Sequence, residues 1–230
     1  MRGDRQRRRE RDIVRLLTLR RWVGTAFYGL PSLPKRFAFP LVVAFSERKP
    51  DSTLDLSFFA QPVFDSLVER MQTPCNLAMV DKDEIIYVLR SSTTHSPAAP
   101  TPLNVGRRFP AYVTSMGRML LGALPPKELD AYLARAAIQK LTEKTVTKKS
   151  ELKAIIRADA AMGWSFVVGE QADWVASIGV PICKADGGAI AALGMGWMAG
   201  TVPDQVMIKR LLPELTNAAR AIEEIIKQRR

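Results

Sequence analysis

Cysteine and histidine are scarce in this 230-residue chain, which has two cysteines, Cys75 and Cys183, and a single histidine, His95. Two thiols cannot form a disulfide scaffold, and one imidazole leaves little from which to build a zinc site, so neither metal nor cofactor is expected. Long apolar runs are also lacking. The longest, Phe37 to Phe45, is interrupted by Pro40 and falls well short of the roughly 18 residues a membrane-spanning helix needs. No apolar stretch of secretory type follows the Arg-rich start, and Asp4, Glu10 and Asp12 are out of keeping with an acid-poor transit peptide. The expectation is a cytoplasmic protein with reduced thiols and no membrane partner.

Basic charge is abundant but uneven. Residues 1–50 carry 13 Lys/Arg against 4 Asp/Glu, a balance of +9, whereas residues 51–230 carry 21 against 19, or +2. In the first stretch Pro31, Pro34, Pro40 and Pro50 interrupt a sequence with neither helical nor strand periodicity. Its arginines, Arg7, Arg8, Arg9, Arg15, Arg20 and Arg21 among them, read either as phosphate-neutralising contacts to DNA or as a solvated charge run. The chain therefore divides into a basic segment, 1–53, and a nearly neutral body, 54–230, that is apolar enough to bury a core.

The body is well patterned. Phe58, Val63, Leu67, Val68 and Met71 form a helical stripe, which Pro62 should interrupt or start. Asn76–Val80 and Glu84–Leu89 read as a hairpin around a polar turn, Asp81-Lys82-Asp83. Thr114 or Ser115 can cap a short helix through Leu120, Pro125 and Pro126 open another, and Ser150 begins a cap pattern for a third that Gly163 ends. Three strand-like runs follow, Trp164–Val168, Ala176–Cys183 and Ala189–Met195, the last two joined by Asp186-Gly187-Gly188. An amphipathic helix carrying Ile208, Leu211, Leu215, Ile222 and Ile226 closes the chain, and Pro213 should kink or divide it. The order implies an α+β fold with helices packed on a mainly antiparallel sheet.

The run Asn104-Val-Gly-Arg-Arg-Phe-Pro-Ala-Tyr-Val-Thr-Ser-Met-Gly-Arg-Met-Leu-Leu closely resembles the effector-domain signature of IclR-type bacterial transcriptional regulators. Leu124-Pro-Pro-Lys-Glu-Leu, the Leu141-Thr element, Gly163-Trp164, Ala176-Ser-Ile-Gly-Val-Pro-Ile and the Asp186-Gly-Gly turn resemble further family elements, in family order. Phe109-Pro-Ala-Tyr-Val-Thr-Ser-Met-Gly-Arg is most similar to the branch controlling aromatic-acid and β-ketoadipate catabolism. The resemblance implies a GAF/PAS-like effector domain that binds a small aromatic or dicarboxylic acid. It also implies a homodimer or homotetramer whose geometry the ligand shifts, and promoter DNA as partner through a winged helix-turn-helix. Such a head normally takes about sixty residues, and its first helices are not recognisable in 1–53, which reads as its remnant or replacement.

Carried over by motif, the effector-binding positions are Phe109, Ser115, Met116, Val175, Ser177, Gly194 and Gly196. Trp174, with Trp197, is a candidate for stacking on an aromatic effector or for the core. Thr114 and Ser115 are either simple caps or part of a helix N-terminus that favours a carboxylate. Asp173-Trp174 stands in place of the family's acidic-plus-glycine pattern and Val167-Val168 where many relatives have polar or acidic residues, which suggests a more apolar pocket. Three enzyme-like signals are weak. Gly194-Met-Gly-Trp-Met-Ala-Gly200 lacks dinucleotide-loop spacing, a Ser91 or Ser92 pair with His95 lacks an orienting group, and neither cysteine shows an activating context. No catalytic residue is assigned. The sequence reads as a ligand-responsive regulator, with a freestanding GAF-like binding module as the alternative.

Overall fold

In the computed structural model, which describes residues 53–92, 104–185 and 187–228, helix α1 (Thr53–Met71) is followed by strands β1 (Cys75–Asp81) and β2 (Glu84–Ser91). The six head arginines and His95 lie outside the described residues. The β1–β2 turn is tighter than the three-residue polar turn expected. Asp81 pairs with Glu84, leaving Lys82 and Asp83 to reverse the chain, with Lys82 at φ 61.

A short strand β3 (Arg108–Pro110), which the sequence pattern did not reveal, pairs with β2 and leads through a turn of 3₁₀ helix, Ala111–Val113, into α2 (Ser115–Gly122). Three residues are too few to display an alternation. Helices α3 (Pro126–Arg135) and α4 (Lys149–Met162) follow, then β4 (Ser165–Val168), β5 (Val175–Cys183), β6 (Ala189–Met198) and α5 (Asp204–Lys227). Ser150 is inside the first turn of α4, whose capping position is Lys148, with no side-chain cap bond. Gly163 ends α4 in the left-handed conformation.

The two internal prolines correct the sequence expectation most clearly. Pro62 lies within α1 and Pro213 within α5, and neither divides its helix. Both are exposed, so the carbonyls of Phe58 and Lys209, which lose their helical N–H donors, face the solvent side and can be satisfied by water.

The six strands form one sheet in the order β3-β2-β1-β6-β5-β4, with every pair antiparallel. The N-terminal hairpin and the C-terminal meander are thus joined by the β1–β6 pair. Helices α1 and α5 pack together and cover one face, α5 presenting Met207, Ile208, Leu211, Leu215 and Ile222 from a single stripe. Helices α2, α3 and α4 cover the other face, where Tyr112, Met116, Leu121, Leu129, Tyr132, Leu152 and Ile156 form the core with Ala78 and Ala192 from the sheet. Every residue of α2 is buried, so this short helix is held by tertiary packing rather than by its own propensity.

Candidate effector site

The site begins with how α2 is set against the sheet. Thr114 caps it, accepting from Gly117 N at 3.0 Å and donating to Ala111 O at 3.2 Å. At Gly179 of β5 a Cβ would come within 2.9 Å of Met116 N and Ser115 C, so the lack of a side chain lets the helix N-terminus rest directly on the strand. Ser115 Oγ then lies 3.0 Å from Ser177 Oγ and donates to it.

Beside this junction is a cavity of about 340 Å³, within the size range of small-molecule sites. All seven positions carried over by motif line it, Phe109 from β3, Ser115 and Met116 from the first turn of α2, Val175 and Ser177 from β5, and Gly194 and Gly196 from β6, and so does the stacking candidate Trp174 from the loop before β5. Trp197 also lines it, buried and stacked on Phe166 with ring centroids 5.9 Å apart. Val167, Val168 and Asp173, expected to set the pocket's character, are not among the lining residues.

The pocket also carries polar groups that the sequence reading did not single out. Asn76, Tyr87, Arg90 and Arg107 line it, and among the described residues no Asp or Glu does. Arg90 is half-buried and donates from Nη1 to Asn76 Oδ1 at 3.0 Å. Burial lowers its affinity for its proton below that of an ordinary guanidinium, and the neighbours that oppose this are Tyr87 and Cys75, not a carboxylate. Burial likewise pushes the Tyr87 phenol up to about 12, so it stays protonated. Tyr87 and Phe109 form a tilted ring pair with centroids 5.5 Å apart, and the exposed Arg107 guanidinium lies 5.2 Å above the Phe109 ring.

Sequence reasoning missed Arg90 for a structural reason. Strict alternation along β2 would place Arg90 on the face opposite Tyr87. The register instead shifts by one residue: Leu77 pairs with Leu89 but Ala78 with Tyr87, leaving Val88 as a bulge. The extra residue brings Tyr87 and Arg90 onto the same face.

Ser91, Cys75 and Cys183 are not among the residues lining the cavity. Ser91 Oγ donates to Asp65 Oδ1 at 2.7 Å. Cys75 is buried and Cys183 half-buried, and burial pushes both thiols up, away from reactivity. Gly194 and Gly196 belong to a strand of an antiparallel sheet rather than to a phosphate loop. Among the described residues no group of three His, Cys, Asp or Glu could hold a metal, and no helix is long and apolar enough to cross a membrane.

Residues 51–224 match the family described as "Bacterial transcriptional regulator IclR C-terminal". The chain belongs to the IclR family. It is 37% identical over 169 residues to the Pca regulon regulatory protein of Pseudomonas putida, covering 74% of this chain and 58% of that relative. It is 25% identical over 178 residues to the p-hydroxybenzoate hydroxylase transcriptional activator of Acinetobacter baylyi, covering 76% of this chain and 66% of the activator. The chain thus spans roughly six-tenths of the length of these relatives. Among solved structures, the inducer-binding domain of an Acinetobacter PobR double mutant in complex with 3-hydroxybenzoic acid superposes with a TM-score of 0.68 at 25% identity, covering 73% of this chain and 97% of that domain. The α+β, antiparallel-sheet fold is therefore that of IclR effector domains, and these relatives are named as regulators rather than enzymes.

Proposed function

We propose that residues 54–230 are the effector-sensing domain of an IclR-type regulator and that the cavity holds a small organic acid. One observation carries the reading: Arg90, half-buried and, among the described residues, with only an amide oxygen as its side-chain bond partner, lines a pocket to which no described acidic residue contributes. A partly desolvated guanidinium that has no counter-charge among the described residues is an incomplete ion pair, and a bound carboxylate completes it. The first turn of α2, with the amides of Ser115 and Met116, adds a positive helix end to the same cavity. Phe109, Tyr87 and Trp174 supply aromatic surface for a ring. A benzoate or hydroxybenzoate fits this division between a charged end and an aromatic body, and Arg107 at the rim suits the second acid group of a dicarboxylate. In the full regulator, a homodimer or homotetramer would transmit the occupancy to promoter DNA in the cytoplasm, with Arg7, Arg8, Arg9, Arg15, Arg20 and Arg21 of segment 1–53 available for phosphate contacts.

Calorimetric titration with 3- and 4-hydroxybenzoate, protocatechuate and β-ketoadipate tests the site. Arg90→Met should weaken the bound acid about 10- to 100-fold, as expected for losing a charge-assisted bond worth about 1.5–3 kcal/mol. Arg107→Met should matter only for the dicarboxylate. If none of these acids binds, or if Arg90→Met binds them as tightly as the parent chain, the reading is wrong. For the DNA role, a gel shift on the chain's own upstream sequence at physiological salt should show a specific complex that the effector alters, and its absence removes that role from this polypeptide.

A further inference from the structure

One buried ion pair takes no part in the cavity surface, yet it holds two pieces of the cavity wall. Arg118, the fourth residue of α2, directs Nη2 to both carboxylate oxygens of Glu170 at 2.7 Å, and the two side chains are 3% and 9% exposed. Arg118 Nε donates to Tyr112 O at 3.0 Å, and Val146 N donates to Glu170 Oε2 at 3.2 Å. Around the pair, Thr145 Oγ1 donates to Glu170 O at 2.7 Å, and Thr142 Oγ1 to Gly169 O at 2.6 Å. Thr145 Oγ1 also accepts from Leu141 N at 3.1 Å and Thr142 N at 2.9 Å.

This knot has a specific location. Leu141, the residue before Thr142, lines the cavity, and so do Gln171, Ala172 and Trp174, which follow Glu170 directly. Neither piece belongs to a helix or strand. The segment 169–175 has Gly169 N donating to Val175 O and Val175 N to Ala172 O, and at its far end Trp174 O accepts from Ala199 N at 2.9 Å, so it is anchored by the knot at one end and by the chain after β6 at the other. Ser115 and Met116, which also line the cavity, lie on the same short helix as Arg118.

We propose that Arg118, Glu170 and Thr145 are positioning residues for the effector site: they form a latch that pins Leu141 and the 171–174 segment over the cavity and ties that cover to the helix whose first turn faces the ligand. This inference rests on the reading of the cavity as an effector site and extends it. A ligand that draws on the first turn of α2 moves the helix that carries Arg118, and through Glu170 it moves the cover. A buried pair needs every lone pair and proton engaged to hold in low dielectric, and this carboxylate accepts from both Arg118 and a backbone amide.

Hydrogen exchange and calorimetry on two variants decide the matter. Glu170→Gln keeps the shape and removes the charge, and Thr145→Val leaves the ion pair intact and removes the hydroxyl. In the ligand-free chain, exchange of the amides of 171–175 should quicken at least tenfold in Glu170→Gln and to a smaller degree in Thr145→Val, while amides of α5 keep their rates. Affinity for 4-hydroxybenzoate should fall in the same order. Should Glu170→Gln not fold, Thr145→Val decides. A lowered melting temperature with wild-type exchange at 171–175 would mark the pair as merely structural and overturn the latch. If the parent chain binds none of the acids, the effector reading fails, and the exchange comparison still decides whether the latch exists.

Discussion

Gly196 and Gly179 both lie in the sheet beside the cavity, yet a side chain would affect them in opposite ways. At Gly196 the nearest atoms to an added Cβ are Ala176 O at 3.5 Å and Ser177 Cβ at 3.9 Å, ordinary contacts. Gly196→Ala should therefore fold normally and narrow the cavity by about a methyl group, weakening ring-bearing acids more than small ones in calorimetric titrations. At Gly179 the obstacle is the backbone of α2, 2.9 Å away, and backbone cannot swing aside as a side chain can. Gly179→Ala should lift the helix end, lowering both the melting temperature and the affinity for every acid. Asp159 adds a pH effect. It is buried and accepts from Ser165 Oγ at 2.6 Å, and burial raises its pKa above the ordinary carboxylate value. The folded chain thus binds this proton more tightly than the unfolded chain does. Its contribution favours folding fully at pH below the unfolded value and is lost as pH rises through the raised folded value. Asp159→Asn should remove that part of the slope in urea midpoints measured from pH 4 upward, and an unchanged slope would assign it to other groups.

At the level of elements, α2 depends on its cap. Thr114→Val keeps the shape but leaves Gly117 N without its acceptor, which should cost about 1 kcal/mol in urea unfolding. The cap, the hairpin, the C-terminal meander and the Gly163 stop were legible because each rests on a local rule: a polar side chain before an apolar run, a polar turn between β-branched runs, a glycine after the last helical turn. Pro62 and Pro213 misled because the rule against internal proline takes no account of which side of the helix the proline occupies, and both lie toward solvent. The motif-derived lining positions could be placed because they come from contiguous stretches. Arg90 and Asn76 could not, because they meet only through cross-strand pairing. Val88 made this harder: a bulge reverses the alternation on which any strand reading depends, and the residues around it give no local signal. The partnership of Arg118 with Glu170, 52 residues away, was beyond local reading for the same reason.

For the whole molecule, ligand occupancy should appear as stability, since an acid bound only by the folded chain shifts the unfolding equilibrium by mass action. At a concentration one hundred times its dissociation constant it should add about 2.7 kcal/mol, which for a domain of this size raises the melting temperature by about 5–10 °C. A flat melting temperature across the acid panel at millimolar concentration would argue against binding. The sheet order carries a different kind of consequence, one of timing. Cys75 of β1 pairs with Met195 of β6, so one long edge of the first hairpin has no partner until the chain has grown 120 residues further. At roughly 5–20 residues per second of synthesis that wait is about 6–24 s. For that interval β1 presents a row of unpaired amides and carbonyls, the kind of edge that recruits strands from other chains. The strand at the centre of the finished sheet is thus the most vulnerable one during synthesis, and the yield of folded protein should depend on how quickly the ribosome reaches β6.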